Sequence, residues 1–414
     1  MSLVSMNSTD KTLVVVGQGY VGLPLAMAAV DAGWKVIGVD SLHEKVLQLN
    51  SGTSPVEDIE DDRLRSALSS DKYRATSDFA DISSASVVTL CVPTPLDSEN
   101  LPDLSMLVAA AQSVAAFVED ETLIVSESTS YPGTLREIVI PIFESLSKKT
   151  LYFASAPERV NPGDKVWSQK NTPRLVGAID GKSRAKAMSF YNSICDASIS
   201  VSSPEVAEAA KLLENTFRLV NIALINEFTK ITSNAGINIH EVVDAASTKP
   251  YGFMEFRPGV GVGGHCIPVD PLYLSSWAKK NGSKVDLIEL SSKINHEMPR
   301  YVAKKALEIV GENSSSPKIL LLGVAYKSGV ADTRETPALK LLQELTSLGA
   351  SVSWYDPLVF EWEKTKPTSP DSSFDLAILV TRQPGIDANK IIDAGVPILD
   401  CTNTLDLSLG VHTL

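Results

Sequence analysis

Hydrophobic residues in the first half of the chain occur in short blocks that alternate with helical patterns. Residues 12–40, TLVVVGQGYVGLPLAMAAVDAGWKVIGVD, read as a β-branched strand, a glycine turn, an alanine-rich helix and a second strand. Further strands are predicted at residues 86–92, 122–128, 151–156 and 174–179, with helices between them such as LSMLVAAAQSVAAFV. This alternation favours a parallel sheet that is covered by helices on both faces.

The middle of the chain predicts one long helix. No glycine or proline lies between Pro204 and Gly236, and apolar residues recur there at helical spacing. At about 1.5 Å per residue, this helix would be roughly 45 Å long. We expect it to form both the spine between domains and the interface of a homodimer.

The strand and helix pattern starts again after GENSSSP, a polar linker at residues 311–317. It continues through KILLLGVAYK, a helix near TPALKLLQELTSLG, and the strand-like segments SVSWYDP, FDLAILVT and VPILDCTN. A chain of 414 residues with 44% hydrophobic residues also exceeds what one core usually supports. We therefore predict an α/β fold in which two Rossmann-like doubly wound domains, residues 1–200 and 313–414, flank a helical middle domain, residues 201–312.

Composition narrows the possible partners. The chain has 37 basic and 50 acidic residues, a net charge of −13, which argues against nucleic acid or an anionic membrane as a partner. Its four cysteines, at positions 91, 195, 266 and 401, are far apart, so neither a zinc or other metal site nor a disulfide framework is expected. The start MSLVSMNSTDK does not resemble a signal peptide, and no apolar run approaches the roughly 18 residues of a membrane span. We expect a cytoplasmic protein.

A dinucleotide-binding motif follows the first predicted strand. Its residues are Gly17, Gln18, Gly19, Tyr20, Val21 and Gly22, and Asp40 closes the next strand. The glycines would admit a pyrophosphate to the helix N-terminus, and the aspartate would accept hydrogen bonds from the ribose hydroxyls. An acidic residue there favours NAD over NADP. The alternative is a glycine turn that binds no ligand.

A second glycine-rich segment, GVGVGGHCIPVDP at residues 259–271, presents Cys266. Glycines allow the backbone to approach a ligand closely, and prolines stiffen the exit, so a rigid loop with a reactive thiol is one interpretation. The other is a tight turn with an incidental cysteine. His265 is adjacent in sequence and would point elsewhere, so we expect it to be a loop or substrate contact rather than the base that activates the thiol.

Several polar residues are candidates for the remaining chemistry. Lys211 and Asn215 are four residues apart on the long helix and share a face, where they could orient a sugar hydroxyl and stabilise an oxyanion, or simply form a solvated stripe. Thr129 and Glu158 each follow a predicted strand, and active sites of doubly wound sheets lie at these carboxyl ends. Glu158 is therefore a candidate general base, although a helix cap or a surface charge is also possible.

Together these segments resemble the UDP-glucose/GDP-mannose 6-dehydrogenase family from about Lys11 to Leu414. The resemblance lies in GQGYVGLP, CVPTP, ESTSYPGT, APERVNPGD, the KLLEN helix, RPGVGVGGHCIPVDP and GVAYKSGVADTRETPAL. PERVNPGD and GGHCIPVDP look most like the branch that oxidises UDP-N-acetylmannosamine and UDP-N-acetylglucosamine. Gln18, Ser130 and Leu272 depart from the usual pattern, but none of them removes a catalytic group.

The resemblance implies that the C6 alcohol of a nucleotide sugar is oxidised twice, to the acid, with two NAD. Cys266 would be the nucleophile, Lys211 and Asn215 would steady the oxyanion, and Asp270 would assist proton transfer. Glu158 would help thioester hydrolysis, with Thr129 placing the water. UDP-glucose or GDP-mannose remain alternative substrates. More remote alternatives are a single-step hydroxyacid dehydrogenase of the 6-phosphogluconate type, and a non-catalytic nucleotide-binding protein.

The resemblance also implies which residues hold the ligands. Cofactor contacts are expected from Gly17, Gly19, Tyr20, Val21, Gly22, Asp40, Thr94, Thr129 and Arg334. Substrate contacts are expected from Glu158, Arg159, Val160, Lys211, Asn215, Arg257, Gly263 and Lys327, of which Arg257 and Lys327 would meet the diphosphate. The last α/β domain would receive the uridine diphosphate.

Overall fold

The computed structural model describes residues 11–161, 164, 166–311, 316–406 and 410–414. The chain divides into two compact units, residues 1–214 and 215–414. Each unit contains one β-sheet. The three-domain division predicted from the sequence stays a prediction, and most of the proposed linker, residues 312–315, lies outside the described residues.

The first unit is built on an eight-stranded sheet with the order β3-β2-β1-β4-β5-β6-β7-β8. Its strands are β1 (Thr12–Val16), β2 (Lys35–Val39), β3 (Tyr73–Thr76), β4 (Val87–Leu90), β5 (Leu123–Ser126), β6 (Tyr152–Ser155), β7 (Arg174–Ala178) and β8 (Ser198–Val201). Its helices are α1 (Gly22–Asp31), α2 (His43–Asn50), α3 (Asp61–Ser69), α4 (Ser105–Ala115), α5 (Ile140–Leu146) and α6 (Gly181–Ile194). A 3₁₀ helix spans Phe79–Ser84, and a π-helical segment, Leu135–Val139, precedes α5.

All the strands predicted in this half are present, and the sheet is covered on both faces as expected. In β1, Leu13 and Val15 belong to one buried cluster, and Val14 and Val16 belong to another on the opposite face. Successive residues of a strand point to opposite faces, so a strand buried on both sides is apolar at every position. This is why VVV and VVTL runs mark the centre of the sheet.

One pair of strands departs from the predicted parallel arrangement. β6 and β7 are antiparallel, whereas the other neighbouring pairs of this sheet are parallel. A parallel pair needs a crossover, usually a helix, but an antiparallel pair does not. The described residues between β6 and β7 form no helix, so the chain returns beside β6 in the opposite direction.

The predicted long helix is confirmed as α7 (Pro204–Asn234), which has 31 residues. In the second unit it is followed by α8 (Ile239–Ser247), α9 (Asp270–Lys280) and α10 (Asp286–Val310). Among the described residues, no helix is both long and apolar enough to span a membrane.

The second sheet has five parallel strands in the order β10-β9-β11-β12-β13. They are β9 (Lys318–Leu322), β10 (Ser351–Tyr355), β11 (Leu376–Leu379), β12 (Ile398–Asp400) and β13 (Val411–Thr413), with helices α11 (Pro337–Ser347) and α12 (Ala388–Asp393). The strands and the helix predicted for this part are confirmed, while α12 and β13 were not foreseen. Both halves of the chain therefore have the predicted doubly wound α/β character.

Candidate active site

The glycine motif sits between β1 and α1, and its three glycines serve three different purposes. Gly17 has φ +95°, and a Cβ there would lie 2.5 Å from the carbonyl oxygen of Cys91. A Cβ on Gly22 would lie 1.8 Å from the carbonyl oxygen of Gly17, so only glycine lets α1 pack this closely. A Cβ on Gly19 would meet nothing within 4 Å. The open space at Gly19 is where a pyrophosphate would approach the helix N-terminus, so these residues fit a dinucleotide.

Asp40 follows β2 and is buried. One carboxylate oxygen accepts hydrogen bonds from the Gln18 backbone N–H (2.9 Å) and the Lys45 ammonium (2.8 Å), and the other accepts from the Leu42 N–H (3.0 Å). Tyr20, in the motif, donates to Glu57 (2.7 Å). The carboxylate is thus already oriented by backbone donors.

Gln18 departs from the apolar residue common at this position, and the structure explains how it is accommodated. Its amide donates to the Val15 carbonyl (2.8 Å) and accepts from the Tyr73 hydroxyl (2.8 Å), and the side chain is fully buried. A buried polar group costs little when its hydrogen bonds are satisfied. Gln18 therefore supports the turn from inside the sheet.

The loops after β4 and β5 are joined by a direct hydrogen bond. The Thr94 hydroxyl donates to the Thr129 carbonyl oxygen at 2.7 Å, so two residues predicted to contact the cofactor lie together. Further along the second loop, the backbone N–H groups of Gly133 (2.7 Å) and Leu135 (3.1 Å) donate to the Glu208 carboxylate on α7. Burial raises the pKa of Glu208 to about 7, against the opposing effect of these two donors. Glu208 was not predicted from the sequence.

Glu158 follows β6, and four donors surround its carboxylate. One oxygen accepts from the backbone N–H groups of Arg159 (2.6 Å) and Val160 (2.5 Å), and the other accepts from Arg174 (2.9 Å) and from the Gln169 amide. Burial acts to raise the pKa of Glu158, but the Arg174 charge, these hydrogen bonds and the Lys211 charge outweigh it and hold the pKa below its usual value. Glu158 is neither a helix cap nor a surface charge.

Arg159 and Val160 are placed by this arrangement. Both donate their backbone N–H to Glu158, and the Arg159 guanidinium also binds the Glu214 carboxylate (2.7 Å) and the Pro173 carbonyl (2.7 Å). Within the neighbouring segment, residues 162, 163 and 165 lie outside the described residues.

Lys211 and Asn215 lie one turn apart on α7, and each is only 8% exposed. This burial excludes the solvated stripe. Asn215 donates its side-chain amide to the Asp270 carboxylate at 2.5 Å, and Asp270 is itself buried at the start of α9. The structure therefore brings together two of the predicted catalytic residues that are far apart in sequence.

Cys266 is exposed, whereas the other three cysteines are buried. Its carbonyl oxygen accepts from the backbone N–H groups of Val269 (3.2 Å) and Asp270 (2.8 Å), a tight turn that leads into α9. The thiol thus stands on a constrained loop directly before a helix, and its reactivity stays a prediction.

The glycines before Cys266 are required for a reason that differs from the one expected. A Cβ on Gly263 would lie 2.7 Å from Pro337 Cδ and 2.9 Å from the Glu335 carbonyl oxygen. Gly264 has φ +85°, and a Cβ there would lie 2.9 Å from the Tyr326 ring. Close packing against residues 326–337 therefore already demands glycine here, without any ligand.

Two basic residues of the predicted binding sites have acidic neighbours in their own unit: Arg257, predicted to meet the diphosphate, and Arg334, predicted to contact the cofactor. Arg257 binds Asp244 and Glu255, and Arg334 binds both carboxylate oxygens of Asp332 (2.9 and 2.7 Å). His265 Nε2 lies 3.1 Å from the same Asp332 carboxylate, so this histidine is a loop contact. Lys327 is half-buried, and its carbonyl oxygen accepts from Gln383 (3.3 Å). Their ligand contacts stay predictions.

Three buried residues around Glu158 escaped the sequence analysis. Arg174 lies between Glu158 and Glu127, and Gln169 contacts both Glu158 and Arg174. One signal was available, because Arg174 opens the apolar strand RLVGA and a charged residue in such a place is seldom buried without a partner.

In the described part of the chain, no cluster of three or more His, Cys, Asp or Glu side chains could hold a metal ion.

A doubly wound sheet with this glycine turn and an acidic residue after β2 is typical of a dinucleotide-binding protein. The chain matches three family models in succession: the NAD binding domain (residues 11–195), the central domain (205–297) and the UDP binding domain (320–407) of the UDP-glucose/GDP-mannose dehydrogenase family. The chain belongs to this family. It is an NAD-dependent oxidoreductase that acts on a nucleotide sugar, which decides against the single-step and non-catalytic alternatives.

Comparisons with individual relatives and with a solved structure support the same family. The chain is 37% identical to the UDP-N-acetyl-D-mannosamine dehydrogenase of Pyrococcus horikoshii over 84% of either chain. It is 34% identical to the UDP-N-acetyl-D-glucosamine 6-dehydrogenase of Pseudomonas aeruginosa, over 84% of this chain and 83% of that one. The solved structure of the Pyrococcus horikoshii UDP-D-ManNAc dehydrogenase superposes with a TM-score of 0.88 at 33% identity, covering 97% of this chain and 98% of that one.

Proposed function

We propose that the substrate is a UDP-N-acetylhexosamine, UDP-N-acetylmannosamine or UDP-N-acetylglucosamine, and that its C6 alcohol is oxidised to the carboxylic acid. The relatives named above act on these two sugars, which supports the choice over UDP-glucose and GDP-mannose. The observation that carries the four-electron mechanism is the exposed Cys266 on a constrained loop, since a single oxidation of an alcohol needs no thiol.

When bound, NAD accepts a hydride in each of the two oxidations. We assign its binding to Gly17, Gly19, Tyr20, Val21, Gly22, Asp40, Thr94, Thr129 and Arg334. In the first oxidation the C6 alcohol loses a proton and a hydride and becomes an aldehyde. Lys211 and Asn215, held on one face of α7, would donate hydrogen bonds to the C6 oxygen as its negative charge develops.

The second oxidation depends on Cys266. Its sulfur adds to C6 of the aldehyde while the thiol proton passes to the aldehyde oxygen, which gives a thiohemiacetal. The thiohemiacetal loses its hydroxyl proton and a hydride from C6 and becomes a thioester. Water then adds to C6, the carbon–sulfur bond breaks, the acid is released, and a proton from the water restores the Cys266 thiol. Asp270, which accepts from Asn215, would assist proton transfer. Glu158 would support the hydrolysis as an ionised neighbour, with Thr129 placing the water.

The rest of the substrate would be held by the residues the family pattern assigns. Arg159 and Val160 present a fixed backbone beside Glu158, and Gly263 belongs to the loop that carries Cys266. Arg257 and Lys327 would meet the diphosphate, and Arg257 would exchange one of its carboxylate partners for it.

We also propose that the chain forms a homodimer through α7. Large apolar side chains on this helix are exposed at spacings of four, seven, four and three residues: Leu213, Phe217, Leu224, Phe228 and Ile231. Residues at these spacings share one side of a helix, and an exposed apolar stripe of this kind is typical of an interface. Sedimentation should give a dimer for the native chain and a monomer for Leu224→Glu, while Phe360→Glu, an exposed position elsewhere, should stay dimeric. The cytoplasmic location rests on the sequence alone.

The mechanism is tested by counting NADH and acid. The native enzyme should give two NADH per sugar, and a panel of UDP-N-acetylmannosamine, UDP-N-acetylglucosamine, UDP-glucose and GDP-mannose should identify the substrate by kcat/KM. Cys266→Ala should still bind NAD and yield no acid. Cys401→Ala, a buried cysteine in the same unit, is the matched control. Normal acid production by Cys266→Ala would refute the covalent mechanism.

A further inference from the structure

Backbone groups hold one oxygen of the Glu158 carboxylate, and side chains hold the other. The backbone N–H groups of Arg159 and Val160 fix one oxygen, and they belong to the same loop as Glu158 itself. The other oxygen is held by the side chains of Gln169, further along the same connection between β6 and β7, and of Arg174, the first residue of β7. An ionised carboxylate accepts about four hydrogen bonds, so all its acceptor positions are filled.

Arg174 and Gln169 act as one unit. The guanidinium of Arg174 donates to Glu158 (2.9 Å) and to the Gln169 side-chain oxygen (2.5 Å), while the Gln169 amide nitrogen donates to the same oxygen of Glu158. Arg174 is 3% exposed and also donates to the carbonyls of Ala156 (3.2 Å) and Pro157 (3.4 Å). One guanidinium therefore holds together residues 156–158 and Gln169, two separate stretches of the connection between β6 and β7.

The opposite side of Arg174 is closed by Glu127 and Tyr191. Glu127 lies 3.2 Å from the guanidinium, and the Tyr191 hydroxyl donates to Glu127 at 2.6 Å. The Tyr191 ring also lies beneath the guanidinium, with 5.4 Å between Arg174 Cζ and the ring centroid. Breaking the buried ion pair between Arg174 and Glu127 would be strongly destabilising, so the pair fixes the position of the guanidinium.

We propose that Arg174 and Gln169 are positioning residues for thioester hydrolysis, and that together they hold the Glu158 carboxylate ionised and in one orientation. The inference rests on the proposed function, in which Glu158 supports this step. Neither residue would contact the substrate. Both act through Glu158, and their effect should therefore fall on the release of the Cys266 acyl group rather than on the first oxidation.

Several ionisable groups face the cluster of Glu158, Arg174 and Gln169, and any of them that titrates would also affect the pH dependence of hydrolysis. They are Glu127, Tyr191, Cys91, Cys195 and Lys211. Burial raises the pKa of both thiols and of Tyr191, so these three stay neutral. Burial also raises the pKa of Glu127 to about 7, partly offset by Arg174, so Glu127 is the neighbour that could titrate in the assay range.

The test uses Gln169→Ala and Arg174→Lys in the full-length enzyme, with Arg74→Lys, an exposed arginine paired with Asp81, as the control. In single turnovers with excess enzyme, NADH is followed by absorbance and the Cys266 acyl adduct by intact-protein mass. We expect both variants to complete the oxidations, to accumulate the adduct and to hydrolyse it at least about tenfold more slowly. The control should behave as the native enzyme.

The pH profile separates positioning from a merely structural role. Hydrogen bonds to the ionised form lower the pKa of a carboxyl group. Below a certain pH the hydrolysis rate falls because Glu158 is protonated, and this fall is the acid limb of the pH profile. Losing the Gln169 donor should move the acid limb upward by about one pH unit. The shift should persist in Glu127→Gln/Gln169→Ala, because that background removes the other titrating carboxyl. If Arg174→Lys does not fold, Gln169→Ala still decides the matter.

The outcomes are distinct. Hydrolysis by Gln169→Ala with the native rate and acid limb would overturn this inference and leave the proposed function standing. One NADH per sugar from the native enzyme, with no Cys266 adduct in the native enzyme or in either variant, would overturn the proposed function and the inference with it.

Discussion

Glu208 offers a direct test of how burial and backbone donors compete in this fold. Its carboxylate is buried on α7 and accepts hydrogen bonds from the Gly133 and Leu135 N–H groups. Burial dominates and raises the pKa from 4.5 to about 7. The folded protein therefore retains a proton that the unfolded chain has released, and stability is lost as the pH rises through this interval.

The substitution to examine is Glu208→Gln, because glutamine has nearly the shape of a protonated glutamate and cannot ionise, although its NH2 group cannot accept from the second of the two backbone donors. Each pH unit between the two pKa values is worth about 1.4 kcal/mol, so the whole interval from 4.5 to about 7 amounts to about 3 kcal/mol. At about pH 4.5 the native protein should be the more stable of the two, because it keeps both hydrogen bonds. Between about pH 4.5 and about pH 8 the variant should gain about 3 kcal/mol of stability relative to the native protein, on the order of 10 °C in Tm.

The assay is the Tm of both proteins by circular dichroism, measured across this pH range at constant ionic strength. Glu99→Gln, an exposed carboxylate in the same unit, is the matched control and should show no comparable pH-dependent gain. If Glu208→Gln gains no stability relative to the native protein between about pH 4.5 and about pH 8, the two backbone donors outweigh burial, and the reasoning from burial is wrong.

The glycine turn and its partner residues give three further predictions. Gly22→Ala should lower Tm, because its Cβ would lie 1.8 Å from the Gly17 carbonyl oxygen, whereas Gly19→Ala should leave Tm within about 2 °C and weaken NAD binding at least tenfold by calorimetry. A lowered Tm for Gly19→Ala would show that its site is not open. Asp40→Asn should weaken NAD far more than the UDP-sugar, and equal losses would exclude the ribose contact. Thr94→Val should weaken NAD while leaving UDP binding unchanged, since it releases the Thr129 loop, and unchanged NAD affinity would contradict that role.

The central strands, the long helix and the glycine turn could be predicted from local patterns. β1 and β4 are apolar at every position because both of their faces are buried, and α7 contains no glycine between its ends. β3, β8 and β13 were missed because they have only three or four residues and lie at or near the edges of the sheets. A short, half-exposed strand has no apolar run to mark it.

In the candidate site, too, some features could be predicted from the sequence and others could not. Cys266, Lys211, Asn215 and Glu158 stood out from their residue types, their spacing and a resemblance to known enzymes. The contact between Asn215 and Asp270 joins residues 55 positions apart, and the one between Arg174 and Glu127 joins residues 47 positions apart. No periodicity or motif encodes such pairs.

The amino-acid sequence by itself determined where strands and helices form and which residues can carry the chemistry, because those properties depend on near neighbours. Only the tertiary structure decided which carboxylates are ionised, which glycines are needed for packing, and which strand runs antiparallel. A carboxyl pKa reflects burial and charges that arrive from distant segments, and Glu158 and Glu208 show it in opposite directions. Glu158 meets a buried arginine and stays ionised, whereas Glu208 meets two backbone donors and retains its proton up to a pH of about 7.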